Sequence, residues 1–212
     1  MEPAARGPTQ AESTAGTEIA SGPITIRVMT CESALIIIDF QNAVVRDCVD
    51  VPAIIERLNL LTGRAREHQV PVIWVQDDDE GHSKGSDAWR LDKRLDVRED
   101  DIFSDKRYGD AFAETSLQRT LESLGATTLV IAGAQSAACI RCTWHSALLR
   151  GFNTVLVTDA HTTEDMNYGE YELSAKQIID FTNLYAQYGS EWPANRGTAL
   201  PTDSIDFAKP LL

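Results

Sequence analysis

Between Thr127 and Thr163 the chain reads TTLVIAGAQSAACIRCTWHSALLRGFNTVLVTDAHTT. An apolar run, TLVIAG, ends in a turn of small residues. A helical segment follows Cys139 and stops at Gly151, and a second apolar run, NTVLVTD, comes next. Unbroken apolar runs of this length fit strands buried on both faces. Strand, helix and strand in that order read as a unit of a parallel sheet. The turn between the first strand and the helix delivers one thiol to the first turn of a helix, just beyond a buried strand. Backbone N–H groups and the helix dipole favour an anion there. A thiol so placed is expected to have a lowered pKa and to be held partly as thiolate, which prepares a cysteine nucleophile.

The same grammar recurs along the chain. ALIIID (34–39) is a buried strand ending in Asp39, and VPVIWVQ (70–76) is another. Asp50 offers an N-cap to a helix whose Ile54, Ile55, Leu58 and Leu61 form an apolar stripe. Thr115 with Gln118, and Ser174 with Gln177, are capping-box signatures. Leu117, Leu121 and Leu124 line the helix after the first, which Gly125 stops. Ile140, Trp144, Ala147 and Leu148 share one side of the helix after Cys139, and Ile178, Phe181 and Tyr185 form a last stripe. Asp77 to Asp105 reads as a long polar connection of the kind that carries function. Met1 to about Gly22 reads as a disordered tail, and Ile24–Val28 as a short edge strand. The chain divides into that tail (1–22), an α/β domain (23–190) and a C-terminal extension (191–212) read as a surface tail. The fold class is α/β: a parallel sheet with helices on both faces.

A net charge of -13 argues against nucleic acid and anionic membrane as partners. It favours a small neutral or cationic substrate. The four cysteines (Cys31, Cys48, Cys139, Cys142) lack disulfide-scaffold spacing. No signal region opens the chain, and no apolar run approaches the ~20 residues of a membrane span. A cytoplasmic location is the expectation. The amphipathic helices and the tryptophans, taken as exposed, point to a homo-oligomer, a dimer or tetramer.

Ligand sites of parallel sheets lie at the carboxyl ends of the strands. Asp39, Gln76 with Asp77, the Gly133–Cys139 turn, and Asp159 with His161 leave those ends. Topology therefore gathers a carboxylate and a thiol on one rim. Cys139 reads as a nucleophile or as a small buried filler. Asp39 reads as the base that takes its proton or as a loop carboxylate. Gln41 is placed to hydrogen-bond a substrate amide or orient Asp39. Lys106, in SDKRYGDAF, is either a solvated surface group or the cation that holds Asp39 and steadies a thiolate. Trp89 and Tyr108 flank the segments entering the rim and read as pocket walls or ordinary packing. His145 is expected to be structural and His161 to support the rim. C-I-R-C (Cys139, Cys142) is also the spacing of a thioredoxin-like redox pair. A catalytically silent assembly module is the third class.

Three pieces in order, IIIDFQ, DKRYGDAFAETSLQRTLESLGATTLVIAG and AQSAACIRCTWHSALLRGFNTVLVTDAHTT, resemble the isochorismatase-like cysteine hydrolases from about Ala34 to Tyr185. The resemblance implies a three-layer αβα fold and a triad of Asp39, Lys106 and Cys139. In it, Asp39 deprotonates Cys139 and later protonates the leaving amine. Cys139 attacks an amide or lactam carbonyl to form an acyl-thioester, which water releases. It implies a cis peptide at Ala134–Gln135, with the N–H groups of Gln135 and Cys139 as the oxyanion hole. Nicotinamidases of this family carry a metal pocket after the second strand. QDDDEGHSKGSDAW, with its acidic run Asp77–Glu80 and His82, does not reproduce their Asp-x-His arrangement. The expectation is therefore no metal and no cofactor. Isochorismatases proper cleave a vinyl ether and lack the cysteine. GSDAW, GAQSAACIRCTWHSALLRGF and DAHTTED resemble streptothricin-hydrolase-like members in particular, which open the lactam of a cationic antibiotic. Biuret, carbamoyl and ureido hydrolysis are the alternatives within the family.

Overall fold

The structure, a computed structural model, describes residues 32–188 and 195–212. The expected tail over 1–22 and the strand over Ile24–Val28 lie outside the described residues. The strands are β1 (Ser33–Ile38), β2 (Val72–Asp77), β3 (Ile102–Lys106), β4 (Thr128–Ala134), β5 (Asn153–Thr162), β6 (Met166–Tyr168), β7 (Tyr171–Leu173) and β8 (Gly197–Leu200). The helices are α1 (Val51–Glu67), α2 (Leu117–Leu124), α3 (Arg141–Leu149) and α4 (Ala175–Tyr188). Six strands form one parallel sheet in the order β3-β2-β1-β4-β5-β8, while β6 and β7 make a separate antiparallel hairpin.

Successive side chains of β1 point to opposite faces, and both faces are dry. Leu35 and Ile37 pack with Ile54, Ile55, Leu58 and Leu61 of α1. Ala34, Ile36 and Ile38 pack with Leu117 and Leu121 of α2, Trp144 and Leu148 of α3, and Ala186 of α4. Every side chain from Ala34 to Ile38 is fully buried, which explains the unbroken apolar run. The result is the expected three-layer αβα architecture. Gly125 ends α2 in the left-handed region at φ 71, as a C-terminal glycine should.

Several local expectations need correction. The long polar connection ends in a strand, β3, at the sheet edge. Phe103 there is half exposed, so no apolar run announces it. Arg66 of α1 ties the connection down. It bonds Asp96 and Asp101, and Asp101 also accepts from Trp74 Nε1 at 2.8 Å and from the Arg98 backbone N–H. The C-terminal segment is no surface tail: β8 pairs in parallel with β5, and Ile205 beyond it is buried. Asp50 stands before α1 at φ 55 but makes no side-chain cap. Thr115 and Gln118 do not form a capping box; the residue before α2 is Ser116, and Gln118 turns to Glu122 and Arg150. Ser174 and Gln177 do form one, each side chain taking the other's backbone N–H. Trp74 and Trp144 are core residues. Exposed large apolar side chains instead include Met166, Tyr168, Tyr171 and Leu173 on the hairpin and Phe181, Leu184 and Tyr188 on α4.

Candidate active site

Three strand ends and one turn meet at the carboxyl edge of the sheet. Asp39 follows β1, Asp77 ends β2, Lys106 ends β3 and Cys139 lies in the turn after β4. Register does much of the placing: Asp77 stands opposite Lys106, and Ile38 opposite Gly133. Asp39 takes φ 47, a left-handed conformation that aspartate tolerates better than most residues. Its N–H bonds the Val75 carbonyl at 2.9 Å. Gly133 has φ +120, and a Cβ there would stand 2.1 Å from the carbonyl oxygen of Ile38. Only glycine lets β4 approach the peptide leading into Asp39 this closely. The Ala134–Gln135 peptide is cis, as the resemblance implied. The turn Ser136–Ile140 that follows is a wide helical turn interrupted at Ala138, and α3 begins only at Arg141.

Lys106 is the hub. Its Nζ lies 2.7 Å from Asp39 Oδ2, 3.0 Å from Asp77 Oδ1 and 3.4 Å from Cys139 Sγ. Lys106 and Asp39 are 2% and 1% exposed, so this ion pair sits almost wholly out of water. Apart from Lys106 and the Cys139 thiol, neither Asp39 oxygen meets a donor among the described residues. A lone pair is therefore open to a proton. Burial raises the Asp39 carboxyl to about 6, against the pull of Lys106. Burial alone would lower Lys106, but Asp39, Cys139 and Asp77 together carry it above the ordinary lysine value.

The thiol departs from expectation. Burial first, then the Asp39 charge, push Cys139 up to about 12, with Lys106 pulling the other way. Cys139 precedes α3 by two residues and so gains little from that helix's N-terminus. The resting pair is a neutral thiol beside a carboxylate of raised proton affinity. In such a pair, a thiol that attacked a carbonyl would pass its proton to Asp39 during the attack and not before it.

Other candidates fall differently. Gln41 is fully buried, and its amide is spent on backbone: Nε2 donates to the carbonyls of Asp77 and Trp89, and Oε1 accepts the Asp77 N–H at 2.8 Å. Its amide makes no hydrogen bond to Asp39; it staples the ends of β1 and β2 to the Trp89 loop. Trp89 and Tyr108 line separate cavities. Tyr108 shares one of about 390 Å³ with Asp78, Lys84, Asp105, Lys106, Arg107 and Glu114. Trp89 borders another, against Gln76, Leu91 and Phe103, with Lys84 over its ring. Gln135 is held through its side chain, Nε2 donating to the Val44 carbonyl at 3.0 Å. Cys139 and Cys142 are both free thiols. Cys139 meets Lys106, whereas Cys142 is exposed and lies beside Gly109. His145 bonds the Tyr185 hydroxyl. His161 lies within β5, with its ring nitrogens on Ser136 and Asn183.

Sequence reasoning put Asp77 on the rim without a role; in the structure it is the second carboxylate on Lys106. Its other oxygen meets His82 Nε2 at 3.0 Å. That double use leaves Asp77 a poor ligand for the metal that some family members hold. Among the described residues no cluster of three or more His, Cys, Asp or Glu side chains could hold a metal ion. The residues present do not fit such a centre. No helix among the described residues is long and apolar enough to cross a membrane.

Residues 33–182 match the Isochorismatase domain. Two streptothricin hydrolases of Streptomyces noursei are similar to this chain. One is 32% identical over 142 residues, 63% of this chain and 50% of that protein. The other is 31% identical over 173 residues, 77% of this chain and 64% of that protein. The chain thus spans from half to just under two thirds of the length of these curated relatives. The crystal structure of an isochorismatase family protein is 29% identical, with a TM-score of 0.71 over 81% of this chain and 99% of that one. A match running from the first residue of β1 into α4, over the sheet that brings Asp39, Lys106 and Cys139 together, makes this chain a member of the isochorismatase family.

Proposed function

We propose that this protein is a cysteine-dependent amidohydrolase, acting on a carbon–nitrogen bond other than a peptide bond, which opens an amide or lactam of a small cationic molecule. The observation that carries this reading is one buried ammonium held 2.7 Å from a carboxylate and 3.4 Å from a thiol. Asp39 accepts the Cys139 proton as the sulfur forms its bond to the carbonyl carbon. The carbonyl π electrons move onto oxygen, which the N–H groups of Gln135 and Cys139 receive. Collapse breaks the C–N bond, and Asp39 returns the proton to the leaving amine. Asp39 then takes a proton from water, which attacks the acyl-thioester. Collapse of that second intermediate frees the acid, and the thiol regains its proton. Lys106 keeps Asp39 in place and offsets the negative charge that passes between carboxylate and sulfur.

The cavity beside Lys106 favours a cation. Lys84 pairs with Asp105 and Arg107 with Asp78, while Lys106 serves both Asp39 and Asp77. Glu114, which also lines the cavity, has no ion pair among the described residues. The similarity to streptothricin hydrolases makes the streptothricin lactam the first compound to test. Incubation with it should yield a product heavier by one water, with no ammonia released. Cys139→Ala should yield none, and the wild type should show an acyl adduct on Cys139 by mass spectrometry. Ammonia from primary amides or ureido compounds, with streptothricin untouched, would move the substrate class to carbamoyl amides. Absence of any Cys139 adduct or turnover across lactam, amide and ureido panels would refute the reading.

A further inference from the structure

A second polar chain runs beside the nucleophile and takes no part in the proton transfers: half-buried Asn183 and buried His161 and Ser136. We propose that His161 is a positioning residue for the oxyanion turn, fixing Ser136 and through it the backbone between Gln135 and Cys139. This rests on the reading of Cys139 as the nucleophile.

The hydrogen positions follow from the partners. Asn183 Nδ2 donates to the Thr158 carbonyl at 3.0 Å, which turns its Oδ1 toward His161. That oxygen only accepts, so His161 Nε2, 2.9 Å away, must carry a hydrogen. The ring is 1% exposed and burial lowers its pKa, against the pull of Asn183 and Asp159, so it stays neutral. Nδ1 therefore bears a lone pair. The Ser136 hydroxyl at 2.7 Å donates to it. Each group has one arrangement that satisfies its neighbours.

The turn needs such a tether. Ala138, between Ser136 and Cys139, has φ -111 and ψ -105, outside any helix. Within the turn the Gln135 carbonyl accepts from Ala138 and Ile140, and the Ala138 carbonyl accepts from the Arg141 N–H. Side chains add further ties. Gln135 is anchored to Val44 and accepts from Thr163 at 3.4 Å. Ser136, fully buried, is anchored to His161, which stands opposite Gly133 in the β4–β5 register. A change at His161 thus acts on the two N–H groups that would receive the carbonyl oxygen, and not on the Asp39–Lys106–Cys139 contacts.

Two reagents separate these effects. Iodoacetamide alkylates Cys139 without generating an oxyanion. Propanal labelled at C1 with carbon-13 adds to Cys139 as a thiohemiacetal whose oxygen takes the oxyanion position, and NMR reads its affinity. Ser136→Ala and His161→Leu should weaken propanal binding roughly tenfold or more. Alkylation should stay within about twofold. His161→Asn, which keeps an acceptor near the place of Nδ1, should restore most of the lost affinity. Equal loss in both reactions, or no loss in either, would reduce His161 to packing and overturn the proposal. Wild-type protein inert to both reagents at Cys139 would instead overthrow the nucleophile reading, and the proposal with it. Should the variants fail to fold, nitrogen-15 NMR of wild-type histidine decides: Nε2 protonated and Nδ1 bare is expected at pH ~7, and any other form refutes the arrangement.

Discussion

Asp39 is the residue whose chemistry and stability pull in opposite directions. Its carboxyl goes from 3.8 in an unfolded chain to about 6 in the fold, with burial the leading cause. The folded state therefore binds this proton more tightly than the unfolded state does, and stability falls as pH rises from about 4 through about 6. At about 1.4 kcal/mol per tenfold in proton affinity, the gap is worth about 3 kcal/mol of destabilisation at neutral pH. Asp39→Asn removes the charge while Asp77 still pairs with Lys106 at 3.0 Å. The variant should lose turnover by at least about a hundredfold, since no base remains on the thiol. Yet it should be as stable as wild type near pH 4, and more stable by up to about 3 kcal/mol near pH 7.5. Urea unfolding at those two pH values, followed by tryptophan fluorescence, measures both. A variant whose disadvantage grows between pH 4 and pH 7.5 would refute the reasoning, because it would make the Asp39 carboxylate a net stabiliser of the fold.

The same proton sets the rate. In the proposed mechanism Asp39 must be ionised to act, so kcat/KM should be half-maximal near pH 6, falling about tenfold per pH unit below that. With the thiol pushed up to about 12, no second rise from thiolate formation should appear between pH 7 and 9, and a pH–rate profile reads both. Lys106→Met leaves Asp39 and Asp77 facing each other unneutralised. Turnover should fall at least about a hundredfold, and chemical unfolding should show a loss of about 3 kcal/mol or more. Gln41→Leu breaks three hydrogen bonds to the backbone of Asp77 and Trp89. It should cost about 2–3 kcal/mol in thermal melts. KM should rise more than kcat falls, since the substrate-side loop loosens while the triad persists. Gly133→Ala, whose Cβ would lie 2.1 Å from the Ile38 oxygen, should give insoluble protein on expression.

What could be read in the chain before its structure was whatever buries on both faces. Ala34–Ile38, Val72–Val75 and Leu129–Ala134 are unbroken apolar runs because water reaches neither side of them. β3 and β8 are the outermost strands, exposed along one side. Ile-Phe-Ser-Asp-Lys therefore alternates weakly, and Gly197–Leu200 hides among loop residues. The hairpin β6–β7 buries none of its six residues, so no apolar pattern marks it. Helix ends misled for a related reason. Ser174 and Gln177 cap reciprocally, but the identical signature at Thr115 and Gln118 fails. There Thr115 donates to the Ala111 carbonyl while its oxygen takes the Leu117 N–H. Capping residues choose among competing local partners, and a four-letter pattern does not rank them.

The site was legible to the extent that topology decides it. Strands of a parallel sheet all deliver their last residues to one edge, so Asp39, Asp77 and the Cys139 turn had to meet. Lys106 joined them only through β3, which the pattern missed. Two readings failed because they depend on which lone pair or hydrogen is already taken. Gln41 looked available to substrate, yet all of its amide is engaged by backbone from residues far along the chain. The thiol looked activated by a helix start, yet α3 begins only at Arg141, and burial and a neighbouring carboxylate push the thiol up. The consequence reaches the chemistry. A cysteine held as a stable thiolate would react with any accessible electrophile at neutral pH. In the proposed mechanism, a cysteine kept protonated until a carbonyl is seated, with Asp39 at about 6 as the acceptor, would be selective for substrates whose oxygen reaches the turn tethered by Gln135 and Ser136. Alkylation of Cys139 should accordingly be slow relative to a free thiolate, even where turnover is fast. Iodoacetamide kinetics set beside kcat/KM measure that ratio, and rapid alkylation at pH ~6 would show that the thiol is ionised at rest.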